Sequence, residues 1–129
     1  GVSHGVYIEA MDVTTAAGAG QDCHLIQLQN DDSARTNIGV VNVSAIPISV
    51  VVQFFTADGV LLGELLREIG PFESRQINNV FSSLDSTKAL DELHDAYAVV
   101  SSSTSGAAFF AYASVVDNDT NDAIFVPGR

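Results

Sequence analysis

The feature that most constrains the fold of this chain is a series of short β-branched and aromatic runs, separated by turn residues roughly every 8–12 positions. This spacing is typical of antiparallel strands, and the helices that a parallel α/β sheet needs between strands are missing from the pattern. The predicted strands are Val6–Val13, Cys23–Leu28, Arg35–Val43, Ile48–Thr56, Val60–Ile69, Glu73–Phe81, Ala96–Ser102, Ala107–Asp117 and Ala123–Val126.

Alternation within these runs predicts two packed sheets. One face of the run Ile48–Thr56 is wholly apolar, whereas its other face mixes polar and apolar side chains. Asp58-Gly59 favours a tight hairpin after it, because these residues tolerate a positive φ. A length of 129 residues fits one domain. We therefore predict a single all-β domain over residues 1–129, an antiparallel immunoglobulin-like β-sandwich of Greek-key type.

One segment departs from the strand pattern. Leu84, Leu90 and Leu93 recur at roughly helical spacing, and Ser and Asp residues near them suit helix caps. The pattern predicts a short helical connector near Ser86–His94, between two strands.

Charge limits the classes of partner. The chain has 5 basic and 16 acidic residues and a formal net charge of −11. Its cations are scattered singly, whereas nucleic acids and anionic membranes require clustered Lys and Arg. No apolar run approaches the ~20 residues of a membrane-spanning helix. We therefore expect neither nucleic acid nor membrane as a partner.

The strongest candidate for a metal site is the acidic segment after the run Ala107–Asp117. Asp117, Asp119 and Asn121 have the alternate spacing of a calcium loop, and Asp122 follows them. Asp122 stands where such a loop needs Gly, and Gly128 stands where it needs a bidentate Glu. The alternative is a polar hairpin turn. Both interpretations stay open, so calcium is a candidate ion and no cofactor is expected to be required.

Other chemistry has weaker support. The chain lacks nucleophile-elbow, zincin and phosphate-loop motifs, so we expect no enzyme; the alternative is a hydrolase with His24 or His94 between a carboxylate and a hydroxyl. Sugar-binding sandwiches stack their ligands on exposed aromatic rings. The chain has no Trp, which leaves Tyr7 and Tyr97 as candidate ligand-binding residues. We expect Tyr112 to pack in the core.

Three motifs, in order, resemble an immunoglobulin-like accessory domain that recurs in large secreted bacterial proteins. They are Arg35–Asn42 with the strand and turn that follow, Pro71–Phe81, and Ala111–Asp122 with Ile124–Pro127. The similarity covers roughly residues 25–127. The sequence departs from the family pattern at 84–94, and at Asn121, where Gly is usual.

The resemblance implies an extracellular or secreted bacterial protein and a β-sandwich, and it implies no catalytic residue. We therefore expect a non-catalytic structural or interaction module, used as a spacer, an adhesion unit or an assembly unit. Its partners would be other protein domains or a second copy of the chain, bound through edge strands. The alternative is a carbohydrate-binding module for polysaccharides, assisted by calcium.

Overall fold

A computed structural model describes residues 16–86 and 88–129, and the described chain is built from β-strands and one 3-10 turn. No helix within these residues is long and apolar enough to cross a lipid bilayer. The strands are β1 (Ala17–Gly18), β2 (Cys23–Asn30), β3 (Ala34–Asn42), β4 (Ile48–Phe55), β5 (Leu61–Ile69), β6 (Ser74–Ile77), β7 (Leu93–Ser101), β8 (Ala108–Asp117) and β9 (Ala123–Pro127), with the 3-10 turn at Val80–Ser83.

The strands form two antiparallel sheets. Sheet A contains β6, β3 and β8 in that order, and β8 pairs on its far side with both β1 and β9, which meet different parts of it. Sheet B has the order β2-β7-β4-β5. The core between the sheets includes Leu25, Phe54, Phe81 and Phe109, all fully buried. The prediction of an all-β chain of two antiparallel sheets is thus confirmed.

Most of the predicted strands lie within a few residues of the observed ones. The exception is the prediction Glu73–Phe81, since β6 covers only Ser74–Ile77. Asn79 then takes a left-handed conformation with φ 48°, and the chain enters the 3-10 turn. The predicted strand Val6–Val13 lies outside the described residues.

The predicted helix near Ser86–His94 is wrong. The described residues between Leu84 and Leu93 form no helix, and β7 already begins at Leu93, which pairs with Asn30. The Asn30 side chain donates a hydrogen bond to the carbonyl of Leu90 at 2.5 Å. Leu84 and Leu90 lie in the connecting loop and pack against the core, and Leu93, at the start of β7, lies within it. Their spacing therefore reflects the attachment of a non-helical connector to the core.

One buried polar side chain, that of Asn42 at the end of β3, joins two loops. Its Nδ2 lies 2.8 Å from the carbonyl oxygen of Ile46, 3.2 Å from that of Ile69 and 2.9 Å from that of Gly70. Its Oδ1 accepts the backbone N–H of Ser44 at 2.9 Å. The residue is fully buried. Its side chain therefore supplies hydrogen-bond partners to backbone groups of the two loops, which have no partner in a sheet.

We expect Asn42→Ala to lower the free energy of unfolding by about 2–4 kcal/mol, because several buried carbonyls lose their donor. Urea denaturation measures the change. Asn78→Ala, at an exposed amide, is the control and should stay within about 0.5 kcal/mol of the parent. A loss below about 1 kcal/mol for Asn42→Ala would contradict the assigned role.

Candidate functional site

The segment predicted as a calcium loop forms the turn between β8 and β9. Asp117 Oδ1 accepts the backbone N–H of Asp119 at 2.8 Å and that of Thr120 at 3.1 Å. These bonds lower the pKa of the Asp117 carboxyl. The Asp117 N–H donates to the carbonyl of Asp122 at 2.8 Å. The carboxylate therefore closes its own turn, as an Asx turn does.

Asn121 lies at the position where the sequence resemblance led us to expect Gly. Its φ of 61° lies in the left-handed region, which Asn tolerates better than most residues. Its Oδ1 accepts from an Arg35 guanidinium nitrogen at 3.3 Å, and another nitrogen of Arg35 donates to Asn118 Oδ1 at 2.8 Å. Arg35 thus binds the side-chain amide oxygens of two residues of this turn.

The turn between β2 and β3 is organised by Asp31. Its Oδ1 accepts the backbone N–H groups of Ser33 and Ala34, each at 2.9 Å, and its Oδ2 accepts from Gln29 Nε2 at 2.8 Å. These hydrogen bonds, of which the one from Gln29 has the largest effect, lower the pKa of Asp31 to about 2. His94 Nδ1 lies 3.3 Å from the same Oδ2.

The two turns lie against each other at one end of the sandwich. The backbone N–H of Asn118 donates to the carbonyl of Ser33 at 2.8 Å. The Asn118 side chain lies within 3.3 Å of the carbonyl oxygens of Asp31 and Asp32. Within residues 16–86 and 88–129, no three His, Cys, Asp or Glu side chains are grouped to hold a metal. We call this region the acidic end; its carboxylates belong to Asp31, Asp32, Asp117, Asp119 and Asp122.

Beside the acidic end, the edges of the two sheets meet along a seam between β2 and β9. His24 and Arg129 pair here through two backbone hydrogen bonds of 2.6 and 3.0 Å. Continuing that register would place Pro127 opposite Ile26, and proline has no N–H to donate. A bulge follows in β2, where Gln27 has a φ of 58°. The seam is therefore paired at one end and open at the other.

The open part of the seam is a cleft of about 360 Å³, which we call the seam cleft. Its apolar wall includes Ala34, Val115 and Ile124, and its polar rim includes Asp117 and Asp122. The Ile124 side chain is 71% exposed although it lies on a strand. Its neighbour across the ladder, Val115, packs against the core. The cleft thus exposes an apolar continuation of the core beside fixed negative charge.

Within residues 16–86 and 88–129, the backbone of β9 has no hydrogen-bond partner on the side that faces the seam. Asp122 and Gly128 bond to β8 through their carbonyl and N–H groups, respectively. The backbone N–H and C=O groups of successive residues on an antiparallel strand point to opposite sides. The even-numbered residues of β9 therefore bond to β8, and the backbone groups of Ala123 and Phe125 point away from β8. Among the described residues β9 pairs with β8 alone.

Tyr97, the second predicted ligand residue, lies on the outer face of sheet B. Its ring stacks on that of Phe55, with centroids 5.0 Å apart and an angle of 14° between the planes. The exposed Leu61 pairs with Phe55 on the next strand. This site is separate from the acidic end in the described chain. Tyr7 lies outside the described residues.

Tyr112 lies on the outer face of sheet A, outside the core cluster. Its ring covers Gly39, where a β-carbon would overlap it, and its hydroxyl donates to Gln76 Oε1 at 2.8 Å. Next to it, the Ser114 hydroxyl is buried and has no hydrogen-bond partner among the described residues. Tyr112 is therefore buried, as expected, but its ring packs against Gly39 and Phe125 on the outer face of sheet A and not in the cluster between the sheets.

At His94, the histidine geometry that the hydrolase alternative requires is not formed. His94 contacts Asp31 and Glu92, whose nearest oxygens are 3.3 and 3.8 Å away. The Ser33 hydroxyl donates to Asp31, so the carboxylate lies between serine and histidine. A nucleophile needs the imidazole in that middle position.

No protein-family model and no curated protein matches this chain. Among solved structures, it is similar to the crystal structure of Thermotoga maritima 1070, with a TM-score of 0.62 and 12% identity. The alignment covers 87% of this chain and 94% of that one. At this identity the likeness concerns the fold alone.

We expect Asp31 to titrate near pH 2, below the ordinary value of 3.8. Because folding lowers this pKa, Asp31 stabilises the native state above pH 4, and its contribution is lost as the pH falls toward 2. Carboxyl carbon-13 NMR measures the titration. Gln29→Ala should raise the pKa, whereas Gln53→Ala should not. Titration of Asp31 at its ordinary value in the parent would refute this assignment.

Proposed function

We propose that the chain is a non-catalytic interaction module that binds protein partners by adding an extended segment to the free edge of β9. The observation that carries the proposal is the outward backbone of Ala123 and Phe125 beside the exposed Ile124. An unpaired strand edge supplies main-chain hydrogen bonds, and an adjoining pocket supplies side-chain selection. The immunoglobulin-like Greek-key topology and the extracellular setting, as in secreted bacterial accessory domains, are part of this proposal.

The other strand edges are less suited to this role. At the free edge of β2, Thr36 Oγ1 accepts the N–H of Gln29 at 3.2 Å and donates to its carbonyl at 2.7 Å. The bulge at Ile26 and Gln27 further distorts that edge. β6 has only four residues. On β5, the outer strand of sheet B, Arg67 lies opposite the core-facing Val50, and inward charge at an edge opposes pairing. Among these edges, that of β9 is therefore the best candidate for added pairing.

A displayed library of random heptapeptides, selected on the intact protein, tests this proposal. We expect the selected peptides to lose at least about fivefold in affinity for Ala123→Pro, because proline removes an outward N–H. The ladder to β8 keeps its bonds in this variant. Ala123→Ser retains the N–H and is the matched control, with affinity near that of the parent. Circular dichroism melting checks that both variants fold.

Two results would contradict this function. One is a selection that enriches no peptide. The other is a set of peptides that bind Ala123→Pro as tightly as the parent, since such peptides do not use the strand edge.

A second candidate function, carbohydrate binding, is favoured by the stacked pair Phe55 and Tyr97. Aromatic rings on an open sheet face provide the flat apolar surface that sugars contact. Leu66 is 65% exposed on the same face and pairs with Val51. Calcium as an aid to this function stays a prediction; Oδ1 of Asp117 accepts backbone N–H groups of the turn, and Oδ1 of Asn121 accepts from Arg35 on β3.

If sugars bind here, Tyr97→Ala should abolish every glycan-array signal that the parent shows, because the variant removes one ring of the platform. Tyr97→Phe keeps the ring and should retain at least half of the signal. Arrays run with calcium and with chelator separate the contribution of the ion. An array without signal for the parent in both buffers would exclude this candidate.

A further inference from the structure

The partner's chemistry follows from the electrostatics of the seam cleft, and the inference rests on the proposed function. Asp117 and Asp122 line the rim, and Asp31 and Asp32 lie in the turn that hydrogen-bonds to Asn118. The side chains that line the cleft include no Lys or Arg. A segment lying along β9 would therefore run beside several negative charges.

Within the described residues, the guanidinium of Arg35 at this end of the sandwich points away from the seam cleft. Arg35 pairs with Val116 across the ladder, and Val116 lies on the outer face of sheet A. Its guanidinium is held by Asn118 and Asn121. Arg35 thus binds the turn from the outer face of sheet A. Its positive charge does not lie in the seam cleft beside the carboxylates of Asp117 and Asp122.

The side-chain pattern of the partner follows from the alternation of an added strand. Side chains on one face would enter the cleft against Ile124 and Val115, where an apolar group buries exposed apolar surface. Side chains on the other face would lie beside Phe125. Residues next to the cleft rim would face Asp117 and Asp122, where a cation is favoured.

We propose that the β9 edge recognises an extended, basic peptide whose cleft-facing side chains are apolar against Ile124 and are followed by Lys or Arg near Asp117 and Asp122, which lie on the same face of the sheet. Charge complementarity selects this occupant. A second copy of the chain would bring a net charge of −11 against the same rim and so is disfavoured at low salt.

The probe is the synthetic peptide Lys-Lys-Val-Lys-Val-Lys-Lys, which offers one face with two central Val flanked by Lys; it is titrated into the isotopically labelled protein and followed by NMR. We expect saturable shift changes in the amides of 123–126 and in Val115 and Gln29. Affinity should fall as salt rises, because the charges at the rim are exposed. Asp122→Asn should weaken binding by about two- to threefold, whereas Glu68→Gln, at the opposite edge of sheet B, should not. Ala123→Pro should weaken it by at least about fivefold.

Peptides of the same length with Glu or Ser in place of Lys separate the two proposals. Binding of these analogues at β9 without binding of the Lys peptide overturns the charge inference and supports edge binding. If none of the three binds, both proposals fail. Lys-peptide shifts that spread over the acidic surface and persist in Ala123→Pro overturn strand addition. Concentration-dependent shifts of 123–126 without peptide, with a dimer in sedimentation, overturn the basic partner in favour of a second copy.

Discussion

Burial of one apolar face of each sheet against the other is the interaction on which this molecule depends, and it creates a problem at the sheet edges. A two-layer sandwich covers its faces but leaves its outer strands unpaired. At one side the edges carry inward charge. Arg67 lies opposite Val50 and Arg75 opposite Val40, and both valines face the core. Charges that point inward at an edge oppose pairing with another chain, so this side is protected.

On the other side of the sandwich, the edges of β2 and β9 meet each other. His24 and Arg129 join the sheets through one backbone pair, after which Pro127 and the β2 bulge separate them. The exposed Ile124 would be a liability on an unprotected edge. The surrounding carboxylates limit self-association through repulsion, while leaving the edge accessible to a cationic segment. Under the proposed function, the same negative charge that opposes self-association at this edge favours a partner of opposite charge.

The strands could be predicted from the sequence because alternation is a local signal. β4 shows it clearly, and its observed bounds differ from the predicted ones by one residue. The prediction of a helix near Ser86–His94 was wrong, because the three leucines at roughly helical spacing attach a non-helical connector to the core. The seam could not be found in this way, since it joins His24 to a residue 105 positions away. Pro127 at the end of a strand was the available signal, because proline in a sheet marks an edge.

The acidic turn shows why residue spacing alone could not distinguish a metal site from a turn. Both use the side-chain oxygens of Asp and Asn at alternate positions. In the structure, one carboxylate oxygen of Asp117 accepts hydrogen bonds from two backbone N–H groups, and the side-chain oxygen of Asn121 accepts one from the guanidinium of Arg35. A cation already held at the turn raises the electrostatic cost of placing a second cation among the same oxygens. Asp122 instead lies at the rim of the seam cleft, beside the edge of β9 that has no partner among the described residues.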